Sequence, residues 1–226
     1  MTWFGSFYRS AVGKKATMAV TGIVFWGFVV GHMAGNLKLF AGGEAFNEYA
    51  HFLREIGYPL VPHSGLLWVA RVVLLVSLAL HVHAAVTLTL LNRRARPEGY
   101  AEREPQQIGI AERTMRWTGF ALLAFIVYHI LHFTTGQAHG NFIPGDPFAN
   151  LTYAFENVAV VAIYVVAMLF LSLHLYHGLW SLFQSLGWNH PRFNGWRRVF
   201  AVAFALIVSL GFALVPLAVF TGLAGG

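Results

Sequence analysis

Cysteine is absent from the 226 residues, so this chain can form no disulfide, hold no iron–sulfur cluster and offer no thiolate. Charge is scarce as well. Asp, Glu, Lys and Arg make up 11% of the sequence against 57% hydrophobic residues, a balance that excludes an ordinary water-soluble domain. There is no glycine-rich phosphate loop ending in Lys-Ser or Lys-Thr, no G-x-G-x-x-G fingerprint in a βαβ setting, no low-complexity tract and no evident internal repeat. The formal net charge of +6 is no footprint for nucleic acid, because the basic residues crowd beside apolar segments, where they act as topology signals.

What the chain does have is long apolar runs, 20 residues or more, with no polar opposite face. That is the pattern expected when lipid is the solvent. Five such runs predict spans over about 16–40, 66–91, 117–135, 153–186 and 199–221, giving one all-α membrane domain over residues 1–226. The first run is too long for the apolar core of a signal peptide and has no clear cleavage site. Ahead of it, Trp3, Phe4, Phe7 and Tyr8 followed by Arg9, Lys14 and Lys15 suit a segment lying at the membrane interface. Between Gly42 and Val61, Phe46, Tyr49, Ala50 and Leu53 share a face while Glu44, Glu48, Arg54 and Glu55 lie mostly elsewhere, predicting a short amphipathic surface helix. Residues 95–107 and 136–150 read as loops, 187–198 as a basic turn, and Pro216 as a kink in the last helix.

Twelve of the fifteen basic residues fall on one side of this layout, leaving only Lys38, Arg54 and Arg71 at or near the other. The amino terminus is therefore expected in the cytoplasm and the carboxyl terminus outside.

Four histidines, His32, His81, His129 and His174, lie inside four different spans. An imidazole is hard to accommodate there unless something binds it, and neutral imidazole is a common axial ligand of haem iron. At about 1.5 Å per residue, His32 and His129 should sit roughly 10 Å below the outer surface and His81 and His174 roughly 20 to 30 Å down. Four such residues at two depths predict two irons with two axial imidazoles each: an outer haem between the first and third spans, an inner one between the second and fourth. Small residues beside them, Gly31 and Gly35, Ala85, and Gly178, give a flat macrocycle room to pack. With both axial positions filled, the chemistry expected is electron transfer rather than oxygen activation. One histidine could simply bridge two helices, but four at matched depths argue otherwise. A histidine-lined proton or metal transporter usually adds Asp or Glu within its spans, and here Glu156, close to an outer end, is the nearest approach.

His83 points nearly opposite to His81 and reads as an interhelical or lipid-interface residue. His132 and His177 each follow a proposed ligand by three positions and share its face, so helical geometry alone leaves them open as ligands. His51, His63, His139 and His190 read as solvated loop residues. Arg71, just inside the outer end of the second span, would snorkel to the interface or pair with a haem propionate.

These residues resemble the single-chain, five-helix, di-haem cytochrome b subunit of succinate dehydrogenases and fumarate reductases. The resemblance spans nearly the whole chain. It rests on His32-Met-Ala-Gly-Asn36, on His81-x-x-x-Ala85 followed by Asn92-Arg93-Arg94-Ala95-Arg96-Pro97, on Gly119 ten residues before His129, and on His174-x-x-x-Gly178-Leu179-Trp180 leading to Gly187. It implies a five-helix bundle in which four helices enclose two stacked haems b, and it favours His129 over His132 and His174 over His177 as axial ligands. It also implies a prokaryotic inner-membrane anchor without catalytic residues of its own for succinate, docked to an iron–sulfur subunit that carries a flavoprotein. Electrons would pass to a quinone, commonly menaquinone in this family. Glu44, Glu48 and Glu55 are candidates for an acidic residue near the outer haem, although none aligns with the family pattern, and the quinone site is not assigned. A cytochrome b anchor of another quinone-linked dehydrogenase or a hydrogenase is the alternative within redox proteins.

Overall fold

The computed structural model describes residues 3–95, 110–188 and 190–225, with the side chains of 3–4 and 110–113 not described. The loop expected over 95–107 falls, apart from Ala95, outside the described residues. The helices are α1 (Trp3–Arg9), α2 (Ala11–Asn36), α3 (Gly43–Glu55), α4 (Gly65–Arg94), α5 (Ile110–His129), α6 (Pro147–Phe155), α7 (Val158–Ser185) and α8 (Asn194–Phe220), with no strand among the described residues. Two 3-10 turns, Leu37–Ala41 and Pro191–Phe193, extend α2 and lead into α8, and a wider π-helical turn, Ile130–Thr134, continues α5. Among the described residues five segments are long and apolar enough to cross a membrane: Ala11–Ala41, Gly65–Arg94, Thr114–Thr134, Val158–Ser185 and Pro191–Phe220.

Polar residues at the helix starts set these boundaries. Ser10 separates α1 from α2, its hydroxyl donating to the Phe7 carbonyl at 2.7 Å and accepting from Gly13 N–H at 2.9 Å. Lys14 is not simply a topology charge. It is buried, donates to the Tyr8 carbonyl at 3.2 Å and lies 4.8 Å from the Tyr8 ring centre, so its cation meets the negative end of α1.

The fourth span is the main departure from expectation. The run beginning at residue 153 is not one long tilted crossing, because the chain breaks at Glu156-Asn157. Asn157 starts α7 by accepting from Ala159 N–H at 2.9 Å, leaving α6 as a separate short helix. Asp146 caps α6 by accepting from Ala149 N–H at 3.0 Å, with Pro147 in the first turn and Asn47 of α3 donating to the same carboxylate oxygen at 2.8 Å. The Ala149 N–H first and the Asn47 amide second hold the Asp146 carboxyl below the usual carboxylate range. The stabilisation from this cap is therefore present at neutral pH and lost as pH falls through that lowered value.

Within the bundle α2 packs on α4, α5 on α7 and α7 on α8, while α2 also meets α7 and α8. The pairs α2–α5 and α4–α7 are not among those in close backbone contact. On α8 the small residues Ala201, Ala205 and Ser209 form a buried stripe at four-residue spacing, which lets neighbouring backbones approach. Ala205 is 1% exposed, so Ala205→Leu is expected to lower stability by about 1–3 kcal/mol through overpacking, read as thermal unfolding in detergent. Pro216 is buried inside α8, which continues to Phe220.

The densest core lies at one end of the bundle, where Leu39, Phe46, Leu151, Phe155, Val161, Tyr164, Val215 and Val219 cluster. α3 and α6 cover this end, with α3 burying Phe46 while Glu44, Glu48 and Arg54 stay exposed. The opposite end carries most of the basic residues.

Candidate functional site

Two of the four span histidines meet on each of two levels. His32 on α2 faces His129 on α5 with ring centres 5.8 Å apart and planes at 76°. His81 on α4 faces His174 on α7 at 6.4 Å and 53°. These are the helix pairs whose backbones do not pack on each other, so each histidine pair reaches across a gap.

Their levels follow from the helix starts. His81 is sixteen residues after Gly65 and His174 sixteen after Val158, so both lie about 24 Å along their helices from the α3–α6 end. Shortening the fourth span to Val158 thus improves the match in depth. His32 is four residues before the end of α2, and His129 is the last residue of α5, which puts the second pair near the α3–α6 end.

One stripe of α2 serves both levels. Thr21, Phe25, Phe28, His32 and Asn36 recur every three or four residues and so share a face. Thr21 and Phe25 touch His81. Phe28 stacks on His32 at 5.2 Å, and Asn36 donates to the His32 carbonyl at 2.7 Å.

Hydroxyl groups orient three of the four rings. Thr21 donates to the Thr17 carbonyl at 2.7 Å and lies 2.9 Å from His81 Nδ1. Thr118 donates to the Met115 carbonyl at 3.0 Å and lies 3.4 Å from His174 Nδ1. Tyr164 of α7 brings its hydroxyl to 3.2 Å from His129 Nδ1 and 2.9 Å from His132 Nδ1.

The sequence contained a signal for the two threonines that the absence of an evident repeat obscured. Thr21-Gly22 precedes Phe28, Val30 and His32, and Thr118-Gly119 precedes Phe125, Val127 and His129, at identical spacings. The two segments form a short internal repeat, a correction to the expectation of none. In each, threonine and histidine share a face three turns apart. Phe125 lies 5.8 Å from His129 and so takes the place beside it that Phe28 takes beside His32.

The glycines divide differently from expectation. A Cβ at Gly31 or Gly178 would meet nothing within 4 Å, whereas one at Gly35 would come within 2.6 Å of the Tyr49 ring of α3. The room at Gly35 is therefore filled by protein. A Cβ at Gly119 would lie 3.5 Å from His174 Cε1, so this glycine lies beside the His174 ring.

Six of the other histidines have partners of their own. In the wider π-helical turn after His129 each residue rotates less about the axis than in an α-helix, so His132 falls further off the face of His129 than its three-residue spacing implies. There His132 is buried, stacked on Tyr128 at 5.1 Å and bonded to Tyr164. His83 bonds the Tyr8 hydroxyl and stacks on its ring, joining α4 to α1. His139 is not simply solvated: its Nδ1 accepts from Asn141 N–H at 3.0 Å and its Nε2–H donates to the Asn150 carbonyl at 2.8 Å. His190 accepts from Arg192 N–H at 3.2 Å, while His51 and His63 both approach Glu55. Arg71 lies 4.8 Å from the Trp68 ring centre. Arg197 is buried, donating to the Trp188 carbonyl at 2.8 Å and covering the Trp180 ring, a packing role beyond a topology charge.

Comparison of the chain with protein-family models, with curated proteins and with solved structures finds no match.

Proposed function

We propose that the chain is a di-haem cytochrome b membrane anchor of the succinate:quinone oxidoreductase type, with His32 and His129 holding an outer haem b and His81 and His174 an inner one. One observation carries the reading: two histidine pairs bridge helices that otherwise stand apart, at separations of 5.8 and 6.4 Å. Metal–imidazole nitrogen bonds of about 2 Å on either side of one ion, plus half of each ring, require ring centres about 6 Å apart. The site residues therefore fit axial ligation of a single iron at each level. Their polar neighbours among the described residues are uncharged, Thr21, Thr118, Tyr164 and Asn36, which suits a neutral imidazole and disfavours an ion-transport path.

Bound there, two haems b would carry single electrons between the two faces of the bilayer. The protein's part is to orient and insulate. Helices α2 and α7 supply ligands and contacts at both levels, and Phe28 and Phe125 flank the outer rings. The basic end, on the cytoplasmic side in this orientation, offers Arg9, Lys15, Arg93, Arg94 and Arg198 to an acidic partner surface. The choice of an iron–sulfur and a flavoprotein subunit as partners, and of menaquinone as electron acceptor, rests on the sequence resemblance.

The direct test is a reduced-minus-oxidised spectrum with haem quantified per purified chain. Two bis-imidazole haems b per chain are expected, and a colourless protein would end the redox reading. Purification of the tagged chain from its native membrane is expected to bring a flavin-bearing partner and succinate-dependent haem reduction. A nickel or molybdenum partner would assign the anchor to another enzyme.

A further inference from the structure

The contacts of the two threonine hydroxyls bear on which nitrogen of each inner ring is free. A threonine hydroxyl has one proton. The Thr21 hydroxyl proton is engaged by carbonyls of its own helix, Thr17 at 2.7 Å and Met18 at 3.2 Å, so towards His81 Nδ1, 2.9 Å away, it presents a lone pair, beside the Met18 carbonyl, which also bonds His81. Thr118 does the same, giving its proton to the Met115 carbonyl and accepting from His174 Nδ1 at 3.4 Å. Both imidazoles are then protonated at Nδ1, and each keeps its lone pair on Nε2.

Both threonines are nearly inaccessible, Thr21 at 5% and Thr118 at 2% exposure, so water does not compete for the contact. They come from the helix packed beside the histidine's own, α2 beside α4 and α5 beside α7. They also occupy the same position in the repeated Thr-Gly segment. Either contact alone is an ordinary side-chain bond between helices. Twice over, in the same register and towards the two members of one pair, it is an arrangement directed at that pair.

From this the geometry points to Thr21 and Thr118 as positioning residues for the inner site: their hydroxyl oxygens fix the Nδ1–H tautomer and the ring orientation of His81 and His174, leaving Nε2 of both to bind iron. This inference rests on the di-haem reading. An acceptor on Nδ1–H also raises the basicity of the ligating nitrogen, and losing such a partner typically weakens metal binding about 10- to 100-fold. The outer pair has a different arrangement, since Tyr164 serves both His129 and His132, so the inner site alone depends on the threonines.

The test compares Thr21→Val, Thr118→Val and the corresponding serine variants with the unaltered chain. Valine preserves shape and removes the oxygen, whereas serine keeps it. Haem loss to an apo-haem acceptor, the electron paramagnetic resonance signal of each haem and each midpoint potential are read separately. Expected for either valine variant are about 10- to 100-fold weaker haem retention at the inner site, a raised inner potential because a less basic imidazole favours the ferrous state, and an unchanged outer haem. Serine is expected to restore all three. Equal loss of both haems would indicate general misfolding, and if serine failed to rescue it the positioning role would be overturned. An inner haem unaffected by valine would also overturn it. A wild-type chain without haem would instead remove the reading on which the inference stands.

Discussion

His32→Ala is expected to leave one haem per chain rather than two, with the outer haem the one lost. The expected magnitude is complete, because removing one of two axial imidazoles takes away a ligand for which no neighbour can substitute. His132, in the π-helical turn after α5, is buried against Tyr128 and bonded to Tyr164, and Asn36 is engaged by the His32 carbonyl. His129→Ala is expected to remove the same haem, while His81→Ala and His174→Ala each remove the inner one. The measurement is haem per chain together with the low-temperature spectrum, which separates the two signals. Loss of one common haem from His32→Ala and His81→Ala would contradict the pairing. Retention of both in His129→Ala would move the ligand to another residue.

The second large effect concerns stability. Phe155→Ala is expected to cost about 3–5 kcal/mol, the usual range for emptying a buried aromatic site. Phe155 ends α6, is 2% exposed and packs edge-on to Tyr164 at 5.0 Å and Phe133 at 5.7 Å. The cavity would open beside the tyrosine that contacts His129. Thermal unfolding in detergent should therefore fall markedly, and the outer haem should become easier to extract than the inner one, about 16 Å away along the bundle at 1.5 Å per residue over the eleven residues from Thr21 to His32. A stability change below 1 kcal/mol, or earlier loss of the inner haem, would show that the α3–α6 end does not support the outer site.

Much of this architecture was legible because lipid imposes a simple rule. Runs without charge had to become helices, and the four imidazoles within them stood out. The surface helix α3 was legible from the alternation around Phe46 and Glu44. The break at Glu156-Asn157 was not, because Tyr153–Phe155 is as apolar as the span that follows, and only the capping side chain of Asn157 divides them. The roles of His132 and His139 depended on the π-helical turn and on a fold of the 136–150 loop that no spacing predicts. Tyr164 gave no signal, since a tyrosine in an apolar helix is ordinary until its hydroxyl is seen between two imidazoles. Thr21 and Thr118 were visible, but only when residues 21–32 are set against 118–129.

The histidine pairs have a consequence for how the protein is made. His32 and His81 belong to the first half of the chain, His129 and His174 to the second, and each pair takes one member from either half. A nascent polypeptide that has threaded α2 and α4 into the lipid possesses half of both binding sites and the whole of neither. On the di-haem reading the outer site is completed only by α5 and the inner one only by α7, and a gene cut between α4 and α5 would yield two fragments expected to acquire colour only when expressed together.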